Sequence, residues 1–171
     1  KINAIADKAG IIQAMADLTG SAYFQFYVGA DIMDSKNNIF QLHQGGIGLG
    51  QKEYYLEDDE ATKNIREGYK AHIVKMFQLI GQDEKQATKS MEAVMEIETK
   101  LAKKSFSAVE LRNPAANYHM LTLDELKKEI AGFDWEAYLN AVGVKGVTSL
   151  NVSQIEPVQE AVAIINTLPL D

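Results

Sequence analysis

Apolar residues recur along this 171-residue chain with two different periods, and the switches between them mark out its elements. Over residues 1–19, Ile2, Ile5, Ile12, Met15 and Leu18 fall at helical spacing, with Gly10 as a candidate break between two shorter helices. From Ala22 the period drops to two. Phe24, Phe26, Val28, Ala30 and Ile32 share one face and Tyr23, Gln25, Tyr27 and Asp31 the other, which predicts a strand. DSKNN at 34–38 carries turn chemistry, and Ile39, Phe40 and Leu42 resume the extended pattern, so the two runs predict a hairpin.

Asp58, Asp59 and Glu60 then place negative charge at a helix start, ahead of a stripe of Ile65, Tyr69, Ile73, Met76, Phe77 and Ile80 that ends at Gly81. A second helix is expected over 84–104, with Ala87, Met91, Val94, Met95 and Leu101 inward and lysines at its C-terminal end, where they suit the macrodipole. The pair predicts an antiparallel helical hairpin. Thr122 and Glu125 fit a capping box for TLDELKKEI, and a short helix with Trp135, Tyr138, Leu139 and Val142 inward stops at Gly143. VTSLNV at 147–152 reads as extended, and Pro157 opens a last helix with Val158, Ala161, Val162 and Ile165 on one side. Neither an internal repeat nor a low-complexity linker interrupts the chain. The expected fold is mainly α, a single unit over 1–171 made of a helical domain with an inserted antiparallel β-hairpin.

Composition narrows the function. With 46% hydrophobic and 24% charged residues the chain can bury a real core. A formal charge of −7, with 17 scattered Lys and Arg, argues against nucleic acid as a partner. No apolar run approaches the roughly 18 residues of a membrane span, and KINAIADKAG lacks the layout of a signal peptide. The lack of cysteine excludes disulfides and thiolate metal sites but is compatible with either redox compartment. A chain without an initiating Met that stops at LPLD is what a piece of a longer protein would look like.

Residues 44–56, QGGIGLGQKEYYL, raise the question of a phosphate loop. Gly45 and Gly50 have the separation of G-x-x-x-x-G-K-[ST], but Gln51 intervenes before Lys52 and Glu53 stands where the magnesium-holding hydroxyl belongs. The dinucleotide pattern also fails, because Gly46, Gly48 and Gly50 alternate. The glycines read instead as a tight connection leaving the hairpin. His43, His72 and His119 are far apart and none lies in H-E-x-x-H; DIMDSKNN lacks the central glycine of an EF-hand loop, and no G-x-S-x-G occurs. These readings assign no catalytic residue and no metal ligand. Glu98 falls beside the buried stripe of its helix, where burial demands a partner such as Arg112, and a structural ion pair is expected.

Five blocks in order carry a resemblance. GIGLGQKEYYL resembles the G-[LI]-G-L-x-x-[RK]-[DE]-Y-Y-L segment of the neprilysin-like zinc endopeptidases, the family of neprilysin, endothelin-converting enzyme and bacterial endopeptidase O relatives; its matching residues are Gly46, Gly48, Leu49, Tyr54, Tyr55 and Leu56. LRNPAANYHMLTLDEL, at 111–126, is similar to that family's R-[DN]-P-x-x-x-Y-[NH]-x-x-[TS]-x-x-E-L through Arg112, Pro114 and Tyr118. EIETKLA with Glu98, FQFYVGADIMDSKNNIFQLHQGG and FDWEAYL echo three further landmarks. Gly50 and Gln51 depart from the usual proline and polar residue, and Asn113 from the commoner aspartate.

The resemblance implies that this segment belongs to the N-terminal helical domain of a longer zinc metalloendopeptidase. Such a domain faces the catalytic domain of the same chain across an enclosed cavity and admits peptide substrates by size. The family's H-E-x-x-H and E-x-x-x-D lie far downstream and neither pattern occurs here, so zinc would be bound by the parent and not by this segment, which would be inactive alone. The family glycines and tyrosines would dock the hairpin exit on neighbouring helices, with Gly48 allowing close backbone approach and Tyr54 or Tyr55 burying a ring whose hydroxyl finds a partner. A bacterial parent in the periplasm or outside the cell is expected, with the cytoplasm as alternative. The competing reading is a stand-alone helical protein-interaction module that uses the apolar hairpin face.

Overall fold

The computed structural model describes residues 2, 5–18 and 22–169. Helix α1 runs Lys8–Asp17, and the Asp7 side chain caps it by accepting from Gly10 N. Gly10 therefore sits in the first turn of one helix and breaks nothing, since the cap fixes the start ahead of it. Of the expected 1–19 helix, residues 1, 3, 4 and 19 lie outside the described residues.

Strands β1, Phe24–Ala30, and β2, Asn38–Gln44, form the expected antiparallel hairpin, with Phe24 opposite Gln44 and Ala30 opposite Asn38. Two further strands extend it: β3, Met120–Thr122, and β4, Ser149–Val152. The order is β1-β2-β4-β3, with β2 and β4 parallel and β3 antiparallel to β4. The hairpin is thus half of a mixed sheet inside a mainly helical fold. One sheet face is apolar: Phe24, Phe40, Leu42, Leu150 and Val152 are all buried. Val28, read on one face with Phe24, stays exposed near the far end of the edge strand, and Ile32, read on the same face, lies exposed beyond the end of β1.

Over that face pack α5, Leu123–Glu129, α6, Trp135–Ala141, and α7, Ile155–Thr167, together with α1. The capping box of Thr122 and Glu125 starts α5 as its sequence requires, and Pro157 lies in the first turn of α7. Phe24 meets Phe133, Trp135 and Tyr138 with ring centroids 5.4–5.6 Å apart, and the Trp135 indole N–H donates to Ile130 O at 3.0 Å.

After β2 the chain makes a glycine loop and a single-turn helix α2, Glu53–Leu56, then α3, Glu60–Leu79, and α4, Glu84–Lys104. Asp59 and Asp83 cap the long helices, and Gly81 takes the turn between them at φ +100°. The two fold back on each other as expected, burying Ile73 and Met95 with Tyr55 and Ala102 in a second, smaller core. Ile65, Met76 and Ile80, read as part of the inward stripe, are exposed.

Candidate functional site

The pleat that turns Phe40 and Leu42 toward the helices turns Gln41 and His43 the other way. Gln25 stands opposite His43, Tyr27 opposite Gln41, and Gln41 opposite Asn151, so three strands present one polar row. A cavity of about 690 Å³ lies over this face, bounded by the glycine loop and by residues of the 105–117 segment.

Amide side chains build the floor and one wall. His119 N donates to Asn151 Oδ1 at 2.6 Å, and Asn151 Nδ2 donates to Gln41 Oε1 at 2.8 Å. Gln44 clips the far strand end to the 105–117 segment by accepting from Phe106 N at 2.7 Å and donating to Phe106 O at 3.1 Å. Gln154 accepts from Gln44 N at 2.9 Å and donates to Asn117 Oδ1. Burial holds the His43 imidazole below its ordinary pKa, opposed by a hydrogen bond to the Gln44 backbone.

The glycine loop forms the opposite rim and is fixed from beneath. Tyr55 is buried, its hydroxyl accepts from Leu49 N at 2.9 Å and donates to Glu98 Oε2 at 2.5 Å, while the Tyr69 hydroxyl donates to Glu98 Oε1 at 3.0 Å. A Cβ on Gly48 would stand 2.0 Å from the Tyr69 hydroxyl oxygen. Gly46 takes φ +78°, and a Cβ there would stand 2.5 Å from Ala22 O. The loop can seat on α3 and α4 only without side chains at these two positions. Burial first, then the hydrogen bond to Glu98, raises the Tyr55 hydroxyl far above its ordinary range; burial and the Glu98 charge push Tyr69 up to about 12. The loop's amides do not form an anion cradle: Leu49 N is used by Tyr55, Gly50 N by Ile47 O at 3.2 Å, and a carboxylate lies beside them.

Gly46, Gly48, Leu49, Tyr55 and Glu98 therefore come together, and the others do not. Tyr54 packs half-buried on the smaller core, and Leu56 is exposed. Arg112 and Pro114 are exposed on short 3-10 turns at Glu110–Arg112 and Pro114–Asn117. Tyr118 donates to Asp31 Oδ2 at 3.1 Å across the far side. The expected Glu98–Arg112 ion pair is replaced by the two phenols, which supply donors from below without a second buried charge. Residues beyond those expectations also hold the loop. Arg66 donates to the Tyr55 and Glu57 carbonyls, and Lys52 reaches Glu110 at 3.3 Å. Ser107, through its backbone and hydroxyl, and then Lys52, holds the Glu110 carboxyl down to about 2.

Among the described residues no three His, Asp or Glu side chains converge on a point that would hold a metal ion. His43 lies on β2, His72 on α3, and His119 beside β3 with Nδ1 against Val152 O at 2.9 Å, a donor set that does not fit zinc. No helix among the described residues is long and apolar enough to cross a membrane.

A sequence profile described as peptidase family M13 matches residues 1–171. Endothelin-converting enzyme 1 of Rattus norvegicus is 32% identical over 123 residues, which make up 71% of this chain and 16% of that enzyme. The Mycobacterium tuberculosis zinc metalloprotease Zmp1, solved with an inhibitor, superposes with a TM-score of 0.90 at 28% identity, over 99% of this chain and 26% of that one. PepO from Lactobacillus rhamnosis HN001 shares the fold, with a TM-score of 0.68 at 16% identity over 96% of this chain and 29% of its own. The chain thus spans a minor part of the length of each of these relatives.

Proposed function

Since the chain belongs to peptidase family M13, we propose that it serves as N-terminal helical region of a zinc metalloendopeptidase, bounding the space where peptides are cut while supplying none of the reacting groups. The observation that carries this reading is the likeness to Zmp1 over 99% of the chain at a TM-score of 0.90. Zinc, polarising a carbonyl and activating water, would be held by other parts of the parent. The part played by this segment is steric. A rim locked by Tyr55, Tyr69 and Glu98 gives a wall of fixed shape, and a walled chamber admits flexible peptides, excludes folded proteins and limits bulk water.

The test uses the intact parent and a series of quenched substrates, from short peptides to the same cleavage sequence embedded in a folded domain. The peptides should be cut and the folded domain spared, and this segment alone with zinc should give no turnover. Comparable kcat/KM on the folded domain, or chelator-sensitive cleavage by the segment, would reject the assignment.

A further inference from the structure

The polar face of the sheet contains more than is needed to hold the loop. The His119 backbone N–H can only donate, so the Asn151 oxygen 2.6 Å from it is fixed as its acceptor. Asn151 Nδ2 must then point the other way, where it donates to Gln41 Oε1 at 2.8 Å. That bond in turn directs Gln41 Nε2 away from Asn151. Gln41 is only 3% exposed and lines the cavity. Its Nε2 nevertheless meets no acceptor among the described residues and is not sealed from the cavity. Buried amides in folded proteins have partners at both ends. Gln41 is held by one end and offers the other as a donor into open space.

The chemistry around it selects the acceptor. The chain carries −7, yet among the described lining residues the one carboxylate, Glu98, has both oxygens engaged by tyrosine hydroxyls, and no Lys or Arg lines the cavity. A groove of neutral amides disfavours ions through their desolvation and suits neutral groups that both donate and accept. Gln41 and His43, two apart on β2, repeat at about 6.8 Å, the interval at which an extended peptide turns every second carbonyl to the same side. Along the rim, Gly50 also lines the cavity and has nothing within 4 Å of where a Cβ would stand, so there another main chain can lie close to the loop backbone. The volume of about 690 Å³ is large enough for several residues.

We propose that this groove binds a neutral, extended stretch of peptide main chain, with Gln41 Nε2 donating to a backbone carbonyl and the exposed Gln25 amide making a second contact. The proposal rests on the reading that this segment bounds a peptide chamber, and the bound stretch is then substrate remote from the scissile bond.

The probe is an uncharged hexapeptide of alternating Ala and Thr, acetylated and amidated, titrated into this chain while the side-chain amide resonances of Gln and Asn are followed by NMR. The Gln41 Nε2 protons should shift saturably at millimolar peptide. Gln41→Glu keeps the acceptor that Asn151 needs but removes the donor, and should weaken binding at least tenfold with the backbone spectrum intact. Gln25→Ala, at an exposed position, should weaken it severalfold and serves if the first variant is poorly folded. A peptide of equal length with Lys or Asp at alternate positions should bind at least tenfold more weakly. Any of three results would overturn the proposal: no saturable shift, equal affinity for the charged probes, or affinity unchanged in the variants. Binding to this chain but exclusion from the intact parent would assign the groove to another part of that protein and would overturn it too. The measurement needs neither zinc nor turnover, so its failure is separate from failure of the peptidase reading.

Discussion

Gly48 and Tyr69 are in such close apposition that a methyl group has no room between them. With a Cβ position 2.0 Å from the phenol oxygen, Gly48→Ala must displace the Tyr69 ring or the loop, at a cost of about 1–3 kcal/mol. Tyr69→Phe removes the nearest obstructing atom, leaving Cζ at 2.8 Å, along with the bond to Glu98, so the loss in the double variant should be smaller than the sum of the two single losses. Thermal unfolding of the four proteins checks this, and strict additivity would show that the ring and loop do not compete for the space. The same hydroxyls set an alkaline limit. Tyr69 ionises near 12 in the fold against an ordinary 10.0, and Tyr55 is shifted the same way, so the folded state retains protons that the unfolded chain gives up. The stability they contribute is present below pH 10.0 and is lost as pH climbs toward 12. Tyrosinate absorbance should rise together with unfolding in that window; titration with ordinary values in a still-folded protein would contradict it. The sequence placed Glu98 near a buried stripe and asked for a partner, which was correct, but named a cation. Nothing in linear spacing shows that two tyrosines, 43 and 29 residues upstream, point their hydroxyls at one carboxylate.

Elements were legible where their signals were local. The capping box, the hairpin turn and the two long amphipathic helices form as the pattern predicts, because each depends on residues within a few positions of one another. Thr122→Ala should therefore cost about 1 kcal/mol of unfolding free energy, since Thr122 accepts from Glu125 N while Glu125 returns a bond to the Thr122 backbone. Thr122→Ser should recover most of it, and equal stability of the Ala and Thr forms would show that α5 is held by packing alone. What was not legible is pairing. Three residues of β3 are too short to show a period, and nothing in VTSLNV says that it runs parallel to β2 across more than a hundred residues of chain. Gly10 misled for a related reason: a glycine suggests a break until an aspartate three residues earlier is seen to cap the turn that contains it.

At the scale of the molecule, the family could be read from blocks spread over the chain, while the groove could not. Its floor joins Gln25, Gln41 and Asn151, which the sheet order β1-β2-β4-β3 brings together, and its walls add Asn117 and Gln154 from outside the sheet; the five share no common motif. Each is an unremarkable amide in sequence; the side of the pleat distinguishes Gln25, Gln41 and Asn151, and a 3-10 turn and the start of α7 bring in Asn117 and Gln154.

Near the C-terminal end of α4, Leu101 belongs to the large core and its neighbour Ala102 to the small one. Two packings are thereby riveted to one rod, a single peptide bond apart. The loop is seated on Tyr69 of α3 and Glu98 of α4, so a tilt of the α3–α4 arm would pull on its contacts. Any partner that grips the arm would thus hold a handle on the lip of the groove.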